Sequence, residues 1–207
     1  MIDLTHIISP SMPVYPGTEA PVFIKECAYE DEGFVETRLN LFSHTGTHVD
    51  APYHLIEEGK RLEEYPLSHF TGKAFICDVP ANTLVITGDM LRSLDLSDID
   101  YFILKTGWDS KWGRDEYFEN FPVMDEDSAG ILAAADLKGV GVDAISVDPV
   151  DTKDFAVHKI LLGSGMVIVE NLKNLNEISS PVFDFYCFPL KFDDSDGAPV
   201  RAGGIFR

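Results

Sequence analysis

Several things are scarce in this sequence, and each scarcity removes a class of protein. No run approaches the ~20 consecutive apolar residues that a membrane-spanning helix needs, so no membrane partner is expected. Cysteine occurs three times, at Cys27, Cys77 and Cys187, far apart and odd in number. That pattern fits neither a disulfide framework nor a CxxC metal site, and reads as buried free thiols in a reducing cytoplasm. Basic residues are outnumbered, with 16 Lys and Arg against 35 Asp and Glu and a formal net charge of −19. Such a chain repels a polyanion, so no nucleic-acid partner is expected. Most of the acidity reads as solubility, and a smaller share as carboxylates neutralised by bound cations. Met1-Ile2-Asp3-Leu4-Thr5 has no basic start followed by an apolar run, so no signal peptide is expected and the location is read as cytoplasmic. Internal repeats, low-complexity tracts and linkers are missing as well.

What is present is ordinary globular composition: 207 residues, 45% hydrophobic and 25% charged. This suits one domain spanning residues 1–207 with a substantial core. Short apolar, β-rich runs lie at 22–24, 74–79, 101–104, 144–147, 166–169 and 182–188, each bounded by turn or charged residues. Asp89 is placed to cap a short helix through Leu94. The segment from Asp127 to Leu137 has an acidic start, apolar Ile131, Leu132, Ala135 and Leu137, and Gly139 beyond its end. The first 50 residues read as extended and turn-rich, with proline at 10, 13 and 16. Strand alternating with helix from about residue 74 indicates an α/β or α+β domain.

The chemistry concentrates in one stretch. Of six histidines, three fall within eleven residues, at His44, His48 and His54, with Asp50 between the last two. Gly46 argues against a helix there. A strand or tight turn ending near Asp50 would point His48 and Asp50 the same way, and Gly46 would let His44 converge on them. Pro52 then stops the strand and turns the chain toward His54. His44, His48 and Asp50 form a nitrogen and oxygen set suited to Zn²⁺, Mn²⁺ or Fe²⁺. A polar turn whose side chains cap one another is the plain alternative, and it does not account for the histidine density.

Three protein ligands leave a coordination position open for water, whose pKa a metal lowers toward ~7. His54 is then either a proton carrier, with an ordinary pKa of about 6.5, or a fourth ligand that closes the site; spacing leaves both open. His158 and Glu170 are weaker candidates. Glu170 ends an apolar strand, a usual place for functional carboxylates in α/β proteins, but it serves equally as a helix cap, and His158 as a surface residue. His6 reads as a packing residue or a support for the site, and His69 as a packing residue. Trp108, Trp112 and Phe118 read as a pocket lid, or as core or dimer contacts.

His44-Thr45-Gly46-Thr47-His48-Val49-Asp50-Ala51-Pro52-Tyr53-His54 matches every fixed position of an HxGTHxDxPxH motif. In this the sequence resembles the cyclase family of metal-dependent hydrolases, which includes bacterial kynurenine formamidase and isatin hydrolase. Asp3-Leu4-Thr5-His6, Tyr15-Pro16-Gly17, Ser146-Val147-Asp148-Pro149, Val169-Glu170-Asn171-Leu172-Lys173-Asn174-Leu175 and Pro199-Val200-Arg201 extend the resemblance along most of the chain.

The resemblance implies an α/β fold around a twisted, barrel-like mixed β-sheet flanked by helices, in a homo-oligomer, dimer or tetramer. It implies two divalent metals per subunit, Zn²⁺ before Mn²⁺. His44, His48 and Asp50 would hold one, and Asp50 would bridge to a second held by His158 and Glu170. His54 would be the catalytic acid and base. The substrate would be a small molecule, an aromatic amide, with N-formylkynurenine as the leading example by family. A cyclic amide or lactone is the alternative within the family, and a catalytically silent metal- or ligand-binding module is the alternative outside it. One departure stands out. Tyr15, the expected substrate-binding aromatic, and Thr18 replace the tryptophan and aspartate of the formamidase members, which alters pocket size and adds a hydroxyl.

Overall fold

The computed structural model describes residues 1–206. In chain order its elements are β1 (Ile2–Asp3), β2 (Val22–Cys27), α1 (Tyr29–Glu32), β3 (Glu36–Asn40), β4 (His48–Asp50), β5 (Thr71–Asp78), β6 (Val85–Ile86) and α2 (Gly88–Leu91). There follow β7 (Tyr101–Lys105), β8 (Val123–Met124), α3 (Glu126–Ala133), β9 (Gly139–Val142), α4 (Ala156–Gly163), β10 (Val167–Glu170), β11 (Val182–Pro189) and β12 (Gly197–Ile205).

Seven strands close into a ring in the order β12-β11-β5-β7-β9-β10-β4, with β4 pairing back onto β12. The segment β5-β7-β9-β10 is parallel and the remaining pairings are antiparallel. This is the mixed, barrel-like sheet that the resemblance implies. Successive residues of β7 face opposite ways. Tyr101 and Ile103 join an apolar cluster drawn from ring strands and from loop residues such as Leu62, Phe70 and Leu175, while Phe102 and Leu104 join a second cluster with Leu132 of α3 and Leu161 of α4. Strands buried on both faces read as unbroken apolar runs, which is why β7 and β10 are plain in the sequence.

Other elements differ from the sequence reading. Residues 144–147 are not a strand; the strand is β9, just before them, and 144–147 form a buried loop. The β9 strand is masked by its glycines: a β-carbon at Gly139 would lie 2.8 Å from the Tyr101 ring, and one at Gly141 would lie 2.6 Å from Ile103 Cδ1. The helix read over 127–137 is α3, begun by Asp125, whose carboxylate accepts the Ser128 N–H. Asp89 does not cap a helix to Leu94 but lies inside the single-turn α2. The cysteines are free, yet only Cys187 is buried; Cys27 and Cys77 are half-buried. The hairpin β2–β3 stands apart from the ring. Among the described residues no helix is long and apolar enough to cross a membrane.

Candidate active site

β4 is three residues long and fully buried, and it is wedged between β10 and β12. Its register places Glu170 of β10 directly opposite His48. Cross-strand partners project to the same side, and His48 Nε2 lies 3.5 Å from Glu170 Oε2. Asp50, two residues along β4, brings Oδ1 to 3.1 Å from His48 Nε2. The left-handed backbone of Gly46, at φ 67°, turns the preceding loop inward, and His44 Nδ1 reaches 2.6 Å from the same Asp50 Oδ1. From α4, His158 Nε2 lies 3.3 Å from Glu170 Oε1 and 3.8 Å from Asp50 Oδ2. Asp50 is thus the centre: one oxygen faces His44 and His48, the other faces His158.

Each of these histidines directs its other nitrogen away from Asp50. His48 Nδ1 is 2.8 Å from the Gly46 carbonyl, which only accepts, so Nδ1 carries the hydrogen. His158 Nδ1 is 2.7 Å from Asp148 Oδ2, and His44 Nε2 is 3.1 Å from Asp196 Oδ2. Asp148 also accepts the backbone N–H groups of Val157 and His158, capping α4 and fixing where it starts.

Burial disfavours the charged ring of His44, but Asp50 and Asp196 outweigh it and push it up to about 10. Burial likewise opposes charge on His158, and Asp148, Glu170 and Asp50 together raise it to about 10. Burial would raise Asp50, yet His44 and His48 hold it well below the carboxylate range. A pocket that favours positive charge in spite of burial suits a cation. Glu170 Oε1 is moreover buried without a hydrogen-bond partner, a costly state that a cation would relieve. The ligand atoms fall into groups within 4.8 Å of one another: His44, His48 and Asp50; Asp50, His158 and Glu170; and His44, His54 and Asp196. The donor chemistry of the first two fits a divalent metal of the zinc or manganese type.

His54 ends a single 3-10 turn, Pro52–His54, that follows β4. Its ring lies against that of His44, centroids 4.0 Å apart, and Nδ1 is 3.8 Å from Asp196 Oδ2. It keeps company with His44 and Asp196, not with Asp50. A cavity of about 410 Å³ opens over the cluster, walled by Tyr15, Phe42, Ile145 and Phe155. The Tyr15 hydroxyl donates to the Val150 carbonyl at 3.0 Å; burial, then Glu170 and Asp148, raise its phenol. No lysine or arginine is among the described lining residues.

Asp148, Asp196, Phe42 and Phe155 went unread in the sequence. Asp148 and Asp196 lie within or beside segments that carry the resemblance, Ser146-Val147-Asp148-Pro149 and Pro199-Val200-Arg201, and nothing in their spacing marks a role. The His6 ring stacks on Trp112 at 3.8 Å, held near pKa 4 by burial, and the His6 backbone N–H donates to Thr47 Oγ1 of the motif. His69 packs on Tyr65. Trp108, Trp112 and Phe118 pack on the helix-side core and not over the cavity.

Known proteins of similar sequence and fold bear on this geometry. A family model described as "Putative cyclase" matches residues 2–149. Kynurenine formamidase of Salinibacter ruber is 34% identical over 204 residues, covering 98% of this chain and 95% of that protein. A structure titled as a potential metal-dependent hydrolase with cyclase activity is 30% identical, covers 97% of this chain and 94% of its own, and superposes with a TM-score of 0.83. An isatin hydrolase bound to the product analogue thioisatinate superposes with a TM-score of 0.87 at 20% identity, over 97% of this chain and 90% of that one, a likeness of fold.

Proposed function

This chain belongs to the cyclase family, and from that premise we propose that it is a metal-dependent hydrolase that cleaves the C–N bond of an aryl formamide or related amide. The observation that carries the reading is the convergence of three imidazoles and the Glu170 carboxylate around Asp50, each imidazole turning its second nitrogen outward. Kynurenine formamidase relatives cover nearly the whole chain and support the choice of bond.

His44, His48 and Asp50 would hold one divalent ion, and Asp50, His158 and Glu170 a second, Zn²⁺ or Mn²⁺. When bound, such ions supply an acidified water and polarise the carbonyl oxygen. His54, beside this set and one-third exposed to the cavity, takes the proton from the attacking water and returns it to the departing nitrogen. Tyr15, Phe42 and Phe155 offer flat apolar faces to an aryl ring. The reading extends to a homo-oligomer acting on a small aromatic molecule in the cytoplasm.

A second reading, hydrolysis of an uncharged cyclic amide of the isatin type, is favoured by one observation. Among the described lining residues there is no lysine or arginine, so apart from the ions themselves the cavity wall offers no cationic side chain to a substrate carboxylate. Metal analysis followed by assay on formylkynurenine, formanilide and isatin separates the two. His54→Ala is expected to lower kcat at least 100-fold with metal content unchanged; loss of metal would make His54 a ligand instead, and wild-type turnover would remove it from the reaction.

A further inference from the structure

Asp196 lies outside the motif, yet its carboxylate meets two of the motif's histidines. Oδ2 is 3.1 Å from His44 Nε2 and 3.8 Å from His54 Nδ1, and those two rings lie against each other. The backbone around Asp196 is tied down on several sides. Ala51 N–H donates to the Asp196 carbonyl at 2.8 Å, and Leu62 N–H to the Ser195 carbonyl at 3.2 Å. The Glu63 carboxylate accepts the N–H groups of Asp194 and Ser195 and the Ser195 hydroxyl. A merely solvated surface aspartate would have no need of this anchoring.

Resting on the function proposed above, we propose that Asp196 is a positioning residue whose single carboxylate orients both the metal ligand His44 and the proton carrier His54. His44 has two nitrogens and two neighbours: Nδ1 faces Asp50 at 2.6 Å and Nε2 faces Asp196. With the Nε2 hydrogen donated to Asp196, Nδ1 is the nitrogen left for a cation, and the ring cannot turn over without breaking that bond. His54 packs on the ring so fixed, with Nδ1 toward Asp196, which leaves Nε2 for the reacting water. A third metal held by His44, His54 and Asp196 is disfavoured, because His44 would then have to ligate through both nitrogens, which requires a fully deprotonated ring.

The test uses the full-length chain and the variants Asp196→Asn and Asp196→Glu, with affinity for Zn²⁺ and Mn²⁺ read by chelator competition and kcat and KM read on formanilide. Asp196→Asn is expected to weaken binding of the ion assigned to His44, His48 and Asp50 and to lower kcat, each about 10–100-fold, with KM within about threefold. Asp196→Glu keeps the charge but moves it by about 1.5 Å, and is expected to fall between the two. The melting temperature after chelator treatment should stay within ~2 °C of wild type for at least one variant, which separates positioning from general unfolding. Unchanged affinity and kcat in Asp196→Asn overturns the proposal; if that variant does not fold, unchanged values in Asp196→Glu do so. A third equivalent of metal in wild type that disappears in Asp196→Asn also overturns it, by making Asp196 a ligand. A wild-type protein that takes up no metal removes the proposed function along with this role, whereas an active, metal-loaded wild type beside an indifferent variant removes this role alone.

Discussion

Replacing Gly197 by alanine adds one carbon where β12 passes close to the candidate site. A β-carbon there would lie 2.6 Å from His44 Cε1 and 2.8 Å from His44 Nε2, with the Val49 carbonyl oxygen at 3.0 Å. Ordinary carbon contacts fall at about 3.5–4.0 Å, so the imidazole must retreat by about 1 Å. That movement stretches the 3.1 Å bond from His44 Nε2 to Asp196 out of hydrogen-bond range and disturbs the 2.6 Å approach of Nδ1 to Asp50. A 1 Å misplacement in a catalytic assembly costs about 100-fold in rate, or about 2.7 kcal/mol of activation free energy. The backbone itself should not object, because Gly197 does not have the positive φ that excludes alanine.

The assay is kcat/KM on an aryl formamide together with metal stoichiometry by mass spectrometry. Gly203→Ala, on the same strand, is the control. Its β-carbon would meet only the Ile2 carbonyl oxygen, at 3.4 Å, and a change of no more than about twofold is expected. If Gly197→Ala kept the metal content of wild type and kcat/KM within threefold of it, the placement of His44 in the reaction would be refuted.

Two further expectations concern stability and the substrate wall. Burial, opposed by hydrogen bonds from Thr106 and Gly107, raises the Asp143 carboxyl to about 6, so between about pH 4 and pH 6 the folded chain keeps a proton that the unfolded chain loses. This carboxyl therefore makes stability fall as pH rises through that window, by roughly 3 kcal/mol, and Asp143→Asn should flatten that part of the pH profile in urea unfolding; an unchanged slope contradicts the assignment. Phe155 holds φ 48° and ψ 48° at the start of α4, an uncommon conformation for a bulky side chain. Phe155→Gly should relieve about 1 kcal/mol of strain without lowering the melting temperature, and should raise KM for an aryl substrate several-fold; an unchanged KM would mean the ring does not contact substrate.

How much of this could be read from sequence depended on whether the determining contacts are local. The His44–Asp50 cluster was legible because a turn at Gly46 and a period-two strand suffice to bring those groups together. Strands β7 and β10 were legible because two-sided burial writes an unbroken apolar run. β9 was missed because Tyr101 and Ile103 fill the space its side chains would take, leaving Gly-Val-Gly-Val with too little apolar character. The start of α4 was hidden because its cap, Asp148, lies eight residues upstream of Ala156 and acts across a loop. Asp196 was hidden for a stronger reason: it stands 152 residues from His44, and only closure of the ring makes them neighbours. His158 and Glu170 came from resemblance, since nothing between them signals that α4 and β10 aim at one point.

Ring closure and site assembly are, on this geometry, one structural event. β4 makes three residue pairs with β10 and three with β12, and among the described strands it is the one that closes the ring between them. The same three residues carry His48 and Asp50. The locking continues beyond the strand: the Gly46 carbonyl that holds His48 also accepts Asn171 Nδ2 at 2.9 Å, and Asn171 Oδ1 accepts the Tyr117 hydroxyl at 2.7 Å. Thr47 Oγ1 donates to the Asn171 carbonyl at 2.6 Å, next to Glu170. The loop that leads from His44 into β4 and the turn following Glu170 therefore fix each other, and neither half of the site can be placed while β4 is out of the sheet. A cation bridging the halves would tie the short strand β4 to β10 and α4, so metal binding and closure of the barrel should reinforce one another through linkage.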